Sequence, residues 1–231
     1  MAEQRYPTLT TERQLKAAAA KLAQQCKVMS LIFERTGAPP IRRYPPDFSG
    51  LAKIIVGQQL SAQSAAAIWS RVEAALLPFD ADTMLAQSDE ALKDLGLSTG
   101  KIKTLKALAR AVLADELDFE ALNAAAEPII VERLTAIHGI GPWTADIYLL
   151  FALARRDAFP SGDLALQLAV QHHFGLERRP TAQELEEIAE RWRPARAVAA
   201  HLLWADYAFA RRALLGKAST PILAKTSKTL K

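Results

Sequence analysis

Apolar side chains recur every three or four positions along nearly the whole chain, and alternating runs of β-branched residues are almost absent. Such a pattern folds as packed amphipathic helices, because only the 3.6-residue period brings those positions onto one face. The expectation is an all-α fold of about ten helices. At 231 residues the chain can bury a substantial core.

Breakers and caps divide the pattern. A first helix is expected from Thr11 to Arg35, closed by Gly37, Pro39 and Pro40, with 36–46 as a connection and the next helix opening at Asp47. Ser61, Ser88, Ser98, Asp118 and Thr181 stand where a side-chain oxygen can accept the free amides of a helix start. Thr181 and Glu184 have capping-box spacing. An N-terminal helix and connection over 1–46 and a basic flexible tail over 217–231 are expected at the two ends.

Composition excludes several chemistries. The single cysteine, Cys26, can form no internal disulfide and cannot supply the thiolates of a zinc ribbon or iron-sulfur cluster. It reads as a small buried hydrophobe. His172 and His173 are adjacent, and helix neighbours do not face each other, so a catalytic zinc is not expected. No stretch approaches the roughly 20 apolar residues of a membrane span, and the N-terminus MAEQRYPTLTTERQLK lacks an export signal. A cytoplasmic protein without a membrane partner is expected, nucleoid-associated in a bacterium or nuclear in a eukaryote.

The net charge of +4 is mild, but its distribution is uneven. From Arg191 onward the only acid is Asp206, and Lys101, Lys103, Lys106 and Arg110 lie in a segment free of acids. This segregation suits a surface facing a polyanion; solvated helix faces would account for it equally well.

Residues 134–170, LTAIHGIGPWTADIYLLFALARRDAFPSGDLALQLAV, are the most informative. They read as helix, tight turn, helix over 134–153, then a loop and another helix. Gly139 and Gly141 flank Ile140 and permit a sharp reversal and close backbone approach, while Pro142 suits the first position of the second helix. Amides at a helix start favour an anion such as phosphate. A plain turn between two helices accounts for the same residues. Asp163, after Gly162 and before the run LALQLAV, reads as an N-cap.

The segment resembles the helix-hairpin-helix motif. With Pro160-Ser161-Gly162-Asp163, its aspartate twenty-two residues after Gly141, it resembles the helix-hairpin-helix DNA glycosylase superfamily. GIGPWTA, IIVGQQLSAQSAAAIWSRV and LGLSTGKIKTLKALARAV are similar to the 3-methyladenine DNA glycosylase II branch in its compact form, over roughly 47–212. The resemblance implies two small helical lobes, a central one over 47–160 and a C-terminal one over 161–216, with the active-site cleft between them and the N-terminal helix of 1–46 packing on the C-terminal helices. It implies a monofunctional enzyme of base excision repair. It would flip an alkylated purine such as 3-methyladenine or 7-methylguanine from duplex DNA and hydrolyse its N-glycosidic bond, leaving an abasic site. Two other readings stay open: a same-fold glycosylase for uracil or hypoxanthine, and a non-catalytic helix-hairpin-helix DNA-binding protein.

The resemblance also implies roles. Asp163 would be catalytic, its carboxylate stabilising the oxocarbenium-like sugar. Trp143, Trp204 and Phe159 would line the substrate pocket, where aromatic faces attract a cationic base; Ile147 stands where some members have an aromatic residue. Gly139, Ile140, Gly141 and Thr144 would contact DNA, and Gln59 and Leu60 would fill the gap left by the flipped base, although a packed loop is the alternative there. Trp69 and Trp192, in amphipathic helices, read as core. Members that cleave the strand carry a lysine where Trp143 stands, so no lyase activity is expected; Lys53 and Lys101 would be the next amines to consider. No cofactor is needed for catalysis, but carbonyls of Thr135, Ile137 and Ile140 would suit a Na⁺ or K⁺ ion at the hairpin. The expected partner is duplex DNA containing alkylated bases, met by a monomer.

Overall fold

In the computed structural model, which describes residues 8–218, side-chain caps open most of the helices. The helices are α1 (Glu12–Gln25), α2 (Lys27–Thr36), α3 (Phe48–Gly57), α4 (Ala62–Ala75), α5 (Ala81–Ala86), α6 (Asp89–Asp94) and α7 (Thr99–Leu113). They continue as α8 (Phe119–Ala124), α9 (Glu127–Thr135), α10 (Pro142–Ile147), α11 (Leu164–Phe174), α12 (Ala182–Ala189) and α13 (Arg196–Ala218). A π-helical turn, Tyr148–Ala152, continues α10, and a 3₁₀ turn, Glu190–Trp192, follows α12. Each cap expected from the sequence is present: Ser61, Ser88, Ser98, Asp118 and Thr181 accept a backbone N–H two or three residues on. No strand occurs among the described residues, only an isolated bridge between Thr8 and Arg155.

Among the described residues thirteen α-helices stand where about ten are expected. The helix expected from Thr11 to Arg35 breaks at Cys26, whose backbone is extended (φ −138°, ψ 115°) and whose amide still closes α1 on the Leu22 carbonyl. The short α5, opened by Asp80, carries too few residues for a visible period, whereas α6 and α8 begin at the expected caps Ser88 and Asp118. Most of the expected tail over 217–231 lies outside the described residues.

α3 runs through the centre. Leu51, Ala52, Ile54, Ile55 and Val56 are buried in the core, and Lys53 is its one charged residue. α1 and α2 pack on α13, which also packs on α11, while α10 packs on α9 and approaches α3. Buried residues from the central and C-terminal segments belong to one hydrophobic cluster.

Candidate active site

The hairpin between α9 and α10 is shaped by Gly139. Its φ of +82° lies in the region that disfavours side chains, and a Cβ there would overlap Oγ1 of Thr104 on α7. Gly141 is different: φ is −102° and a Cβ would meet nothing within 4 Å, so its side faces open space. The Ile140 amide donates to the Ile137 carbonyl at 3.1 Å, which closes the turn, and Ile140 itself is buried. Gln58 Nε2 donates to Thr144 Oγ1 at 2.8 Å, fixing the end of α3 against the hairpin.

Thr144 therefore departs from its expected contact with DNA. It is 2% exposed, its hydroxyl is engaged by Gln58, and its amide donates to the Gly141 carbonyl. The basic segment is corrected as well. Lys101 Nζ donates to the Val56 carbonyl at 2.7 Å and Lys106 pairs with Asp89, which leaves Lys103 and Arg110 as the exposed cations of α7. Partial burial holds the Lys101 ammonium below its ordinary pKa.

Asp163 caps α11 and does more than cap it. Oδ1 accepts the amides of Ala165 (2.9 Å) and Leu166 (3.1 Å), and the Trp204 indole N–H at 3.0 Å. Oδ2 accepts the Trp143 indole N–H at 2.9 Å. Three helices, α10, α11 and α13, thus converge on one carboxylate. The preceding loop is held by the Asp163 amide on the Pro160 carbonyl and by Gln167 Nε2 on the Ser161 carbonyl. Behind Trp204, buried Asp206 on α13 accepts from His173 of α11 and pairs with Arg35 of α2, which fixes the helices that carry Trp204 and Asp163.

A cavity of about 460 Å³ opens onto Asp163, within the usual range for small-molecule sites, about 300–1,000 Å³. Trp143, Trp204 and buried Ile147 line it, as do Phe151 and Tyr44. Phe151 lies 5.6 Å from Trp204 and 5.5 Å from Tyr44, ring centre to ring centre, forming a continuous aromatic wall. Leu60, 38% exposed, stands on the cavity wall, and exposed Gln59 beside it has φ +56°, so the pair projects from the loop before α4.

One aromatic assignment changes. Phe159 is 4% exposed and packs on Trp192 at 5.8 Å, away from the cavity, because the loop turns it into the core before reaching Asp163. Trp69 and Trp192 are in the core as expected, at 6% and 1% exposed, and Trp69 also lines the cavity from α4. The spacing of Ala62, Ala65, Ala66 and Trp69 on one face of α4 carried a signal for that wall. Tyr44, Lys53 and Phe151 reach the cavity from separate segments, and no local pattern marks them. Lys53, Arg42 and Arg211 add positive charge to walls expected to be chiefly aromatic.

No group of three or more His, Cys, Asp or Glu able to hold a metal occurs among the described residues, and no helix there is long and apolar enough to cross a membrane.

The chain is similar to proteins of one repair family. A relative in Schizosaccharomyces pombe named DNA-3-methyladenine glycosylase 1 is 30% identical over 69% of this chain and 74% of its own. YfjP of Bacillus subtilis, which carries the name of a DNA-3-methyladenine glycosylase, is 28% identical over 76% of this chain, and the matched region spans 64% of that protein. The crystal structure of a DNA-3-methyladenine glycosidase from Bacillus halodurans is 32% identical with a TM-score of 0.65, covering 90% of this chain and 95% of that one. The S. pombe 3-methyladenine DNA glycosylase Mag1, in complex with abasic DNA, shares the fold with a TM-score of 0.73 at 24% identity, over 84% of this chain and 97% of that one. Residues 52–194 match the family described as HhH-GPD superfamily base excision DNA repair protein. With more than half of its length inside that match, the chain belongs to the HhH-GPD superfamily of base excision DNA repair proteins.

Proposed function

We propose that the protein is a monofunctional DNA glycosylase that removes alkylated purines such as 3-methyladenine and 7-methylguanine from duplex DNA. The observation that carries this reading is the Asp163 carboxylate, held by Trp143 and Trp204 at a cavity large enough for a base. The names of the relatives support it.

The open face at Gly141 and the amides at the start of α10 receive a backbone phosphate of any sequence. Gln59 and Leu60 enter the duplex where the base leaves, and the base enters the cavity at a cost of a few kcal/mol, on the order given for flipping. As the C1′–N bond breaks, its electron pair goes to the base and positive charge builds on the deoxyribose. Asp163 opposes that charge, and a water oxygen bonds to C1′ while losing one proton to the solvent. A cationic alkylpurine departs neutral, so one carboxylate suffices. Trp143 stands where strand-cleaving members carry lysine, so the product keeps an intact strand. The carbonyls of Thr135 and Ile140, with that of Ile137, form a donor set suited to a hard monovalent cation, which would brace the hairpin without entering the chemistry.

Incubation with methylated duplex DNA, with uracil-containing duplex beside it, tests the reading. Free 3-methyladenine and 7-methylguanine should appear, leaving alkali-labile abasic sites; release of neither base overturns it.

A further inference from the structure

Two donors on the cavity wall meet no hydrogen-bond acceptor among the described residues. Lys53 is half-buried, and its ammonium lies over the faces of Tyr44 at 5.3 Å and Trp69 at 5.4 Å. Among the described residues it meets no carboxylate or carbonyl within hydrogen-bond reach. The indole N–H of Trp69, a residue only 6% exposed, also lacks an acceptor. A buried donor without a partner costs about 1–3 kcal/mol. Aromatic faces hold a cation in place but accept no directed hydrogen bond from it. Lys53 is also the sole charge on an otherwise apolar α3.

We propose that Lys53, with the Trp69 N–H beside it, reads acceptor atoms on the flipped base and stabilises a base that departs as an anion. This rests on the glycosylase reading above and extends its substrates to neutral purines with a carbonyl, of which hypoxanthine is the simplest. The chemistry differs from that of the alkylated bases in one respect. When the C1′–N9 bond of a neutral purine breaks, the electron pair leaves the base negatively charged. Water then bonds to C1′ and releases one proton, and the purine anion takes up one proton, so a single water is consumed. An ammonium bonded to the keto oxygen or a ring nitrogen lowers the energy of that anion throughout the step. For a base that begins as a cation the same ammonium is repulsive. Lys53 therefore acts in opposite directions on the two lesion classes, which no packing role would do.

The experiment compares single-turnover release of hypoxanthine and 7-methylguanine by the parent, K53M and K53R on duplexes otherwise identical. The parent should release both. K53M should lower hypoxanthine release at least tenfold and raise that of 7-methylguanine, while K53R should keep the ratio of the two within about threefold of the parent. Because each ratio is read within one protein, a smaller active fraction does not alter it. Parent protein that releases 7-methylguanine but no hypoxanthine overturns the role of Lys53 alone, as does K53M lowering both rates equally. Equal loss of affinity for undamaged duplex would mark Lys53 as a phosphate contact and overturn it too. Parent protein that releases neither base overturns this role, and failure to release 3-methyladenine as well removes the glycosylase reading with it.

Discussion

The indole N–H of Trp143 donates to Oδ2 of Asp163 at 2.9 Å, so the first turn after the hairpin is bonded to the carboxylate that caps α11. Whatever seats the hairpin on a phosphate backbone therefore also sets the carboxylate relative to the sugar two helices away. The cap bonds on Oδ1 and the indole bond on Oδ2 leave the carboxylate one orientation.

Replacing Trp143 by Phe keeps an aromatic ring and removes that bond. A hydrogen bond to a charged group contributes about 1.5–3 kcal/mol, and where it acts only on the reacting geometry its loss slows base release about 10- to 100-fold. Single-turnover excision and duplex affinity should separate, with affinity within threefold of the parent. Equal losses in both would place Trp143 in binding instead.

The two hairpin glycines should behave differently. Gly139→Ala meets Thr104 and a strained backbone, so thermal unfolding should report a loss of about 1–3 kcal/mol or more. Gly141→Ala has space and an ordinary φ, and its stability should stay within about 0.5 kcal/mol. Its affinity should fall for every duplex alike, since the added methyl stands where a phosphate approaches. A loss confined to damaged DNA would contradict a backbone contact.

Much of this geometry was legible beforehand because it is local. Caps, the hairpin and the Pro160–Asp163 loop are each written in a few consecutive residues, and all fold as read. The cavity is written non-locally. Tyr44 lies in a connection, Phe151 in a π-helical turn and Trp69 on α4, and only packing around α3 brings them together. Phe159 was misplaced for a related reason: adjacency to the Asp163 loop says nothing of which way a side chain turns. The break at Cys26 carries neither proline nor glycine, so nothing in the composition marks it.

On α10, Asp146 provides a handle on stability. Burial pushes its carboxyl up to about 7, and the Glu186 carboxylate adds to the rise while Arg196 opposes it. Between its ordinary value of 3.8 and about 7 the folded protein holds a proton that the unfolded chain releases, so this group's contribution falls as pH rises through that window. Asp146→Asn should therefore gain in Tm over the parent between pH 4 and pH 8, with the gain greatest at the upper end. A constant difference across the range would contradict the assignment.

Borohydride trapping should give no covalent adduct with DNA, since Trp143 offers no amine and Lys101 is turned to the Val56 carbonyl. Lys53 lies in the cavity wall as an aromatic-held ammonium. An adduct formed by the parent and absent from K53M would show that it attacks C1′, contrary to the role assigned to it here.

The account turns on Asp163, and Asp163→Asn tests it most directly. The amide oxygen still accepts the cap hydrogen bonds, so the fold and duplex affinity should stay near those of the parent, while the charge opposing the oxocarbenium-like sugar is lost and the amide NH2, itself a donor, replaces the acceptor of the Trp143 N–H. Single-turnover release of 7-methylguanine should fall at least a thousandfold, on the order of 4 kcal/mol in the barrier. An Asn variant within tenfold of the parent rate would contradict the central claim.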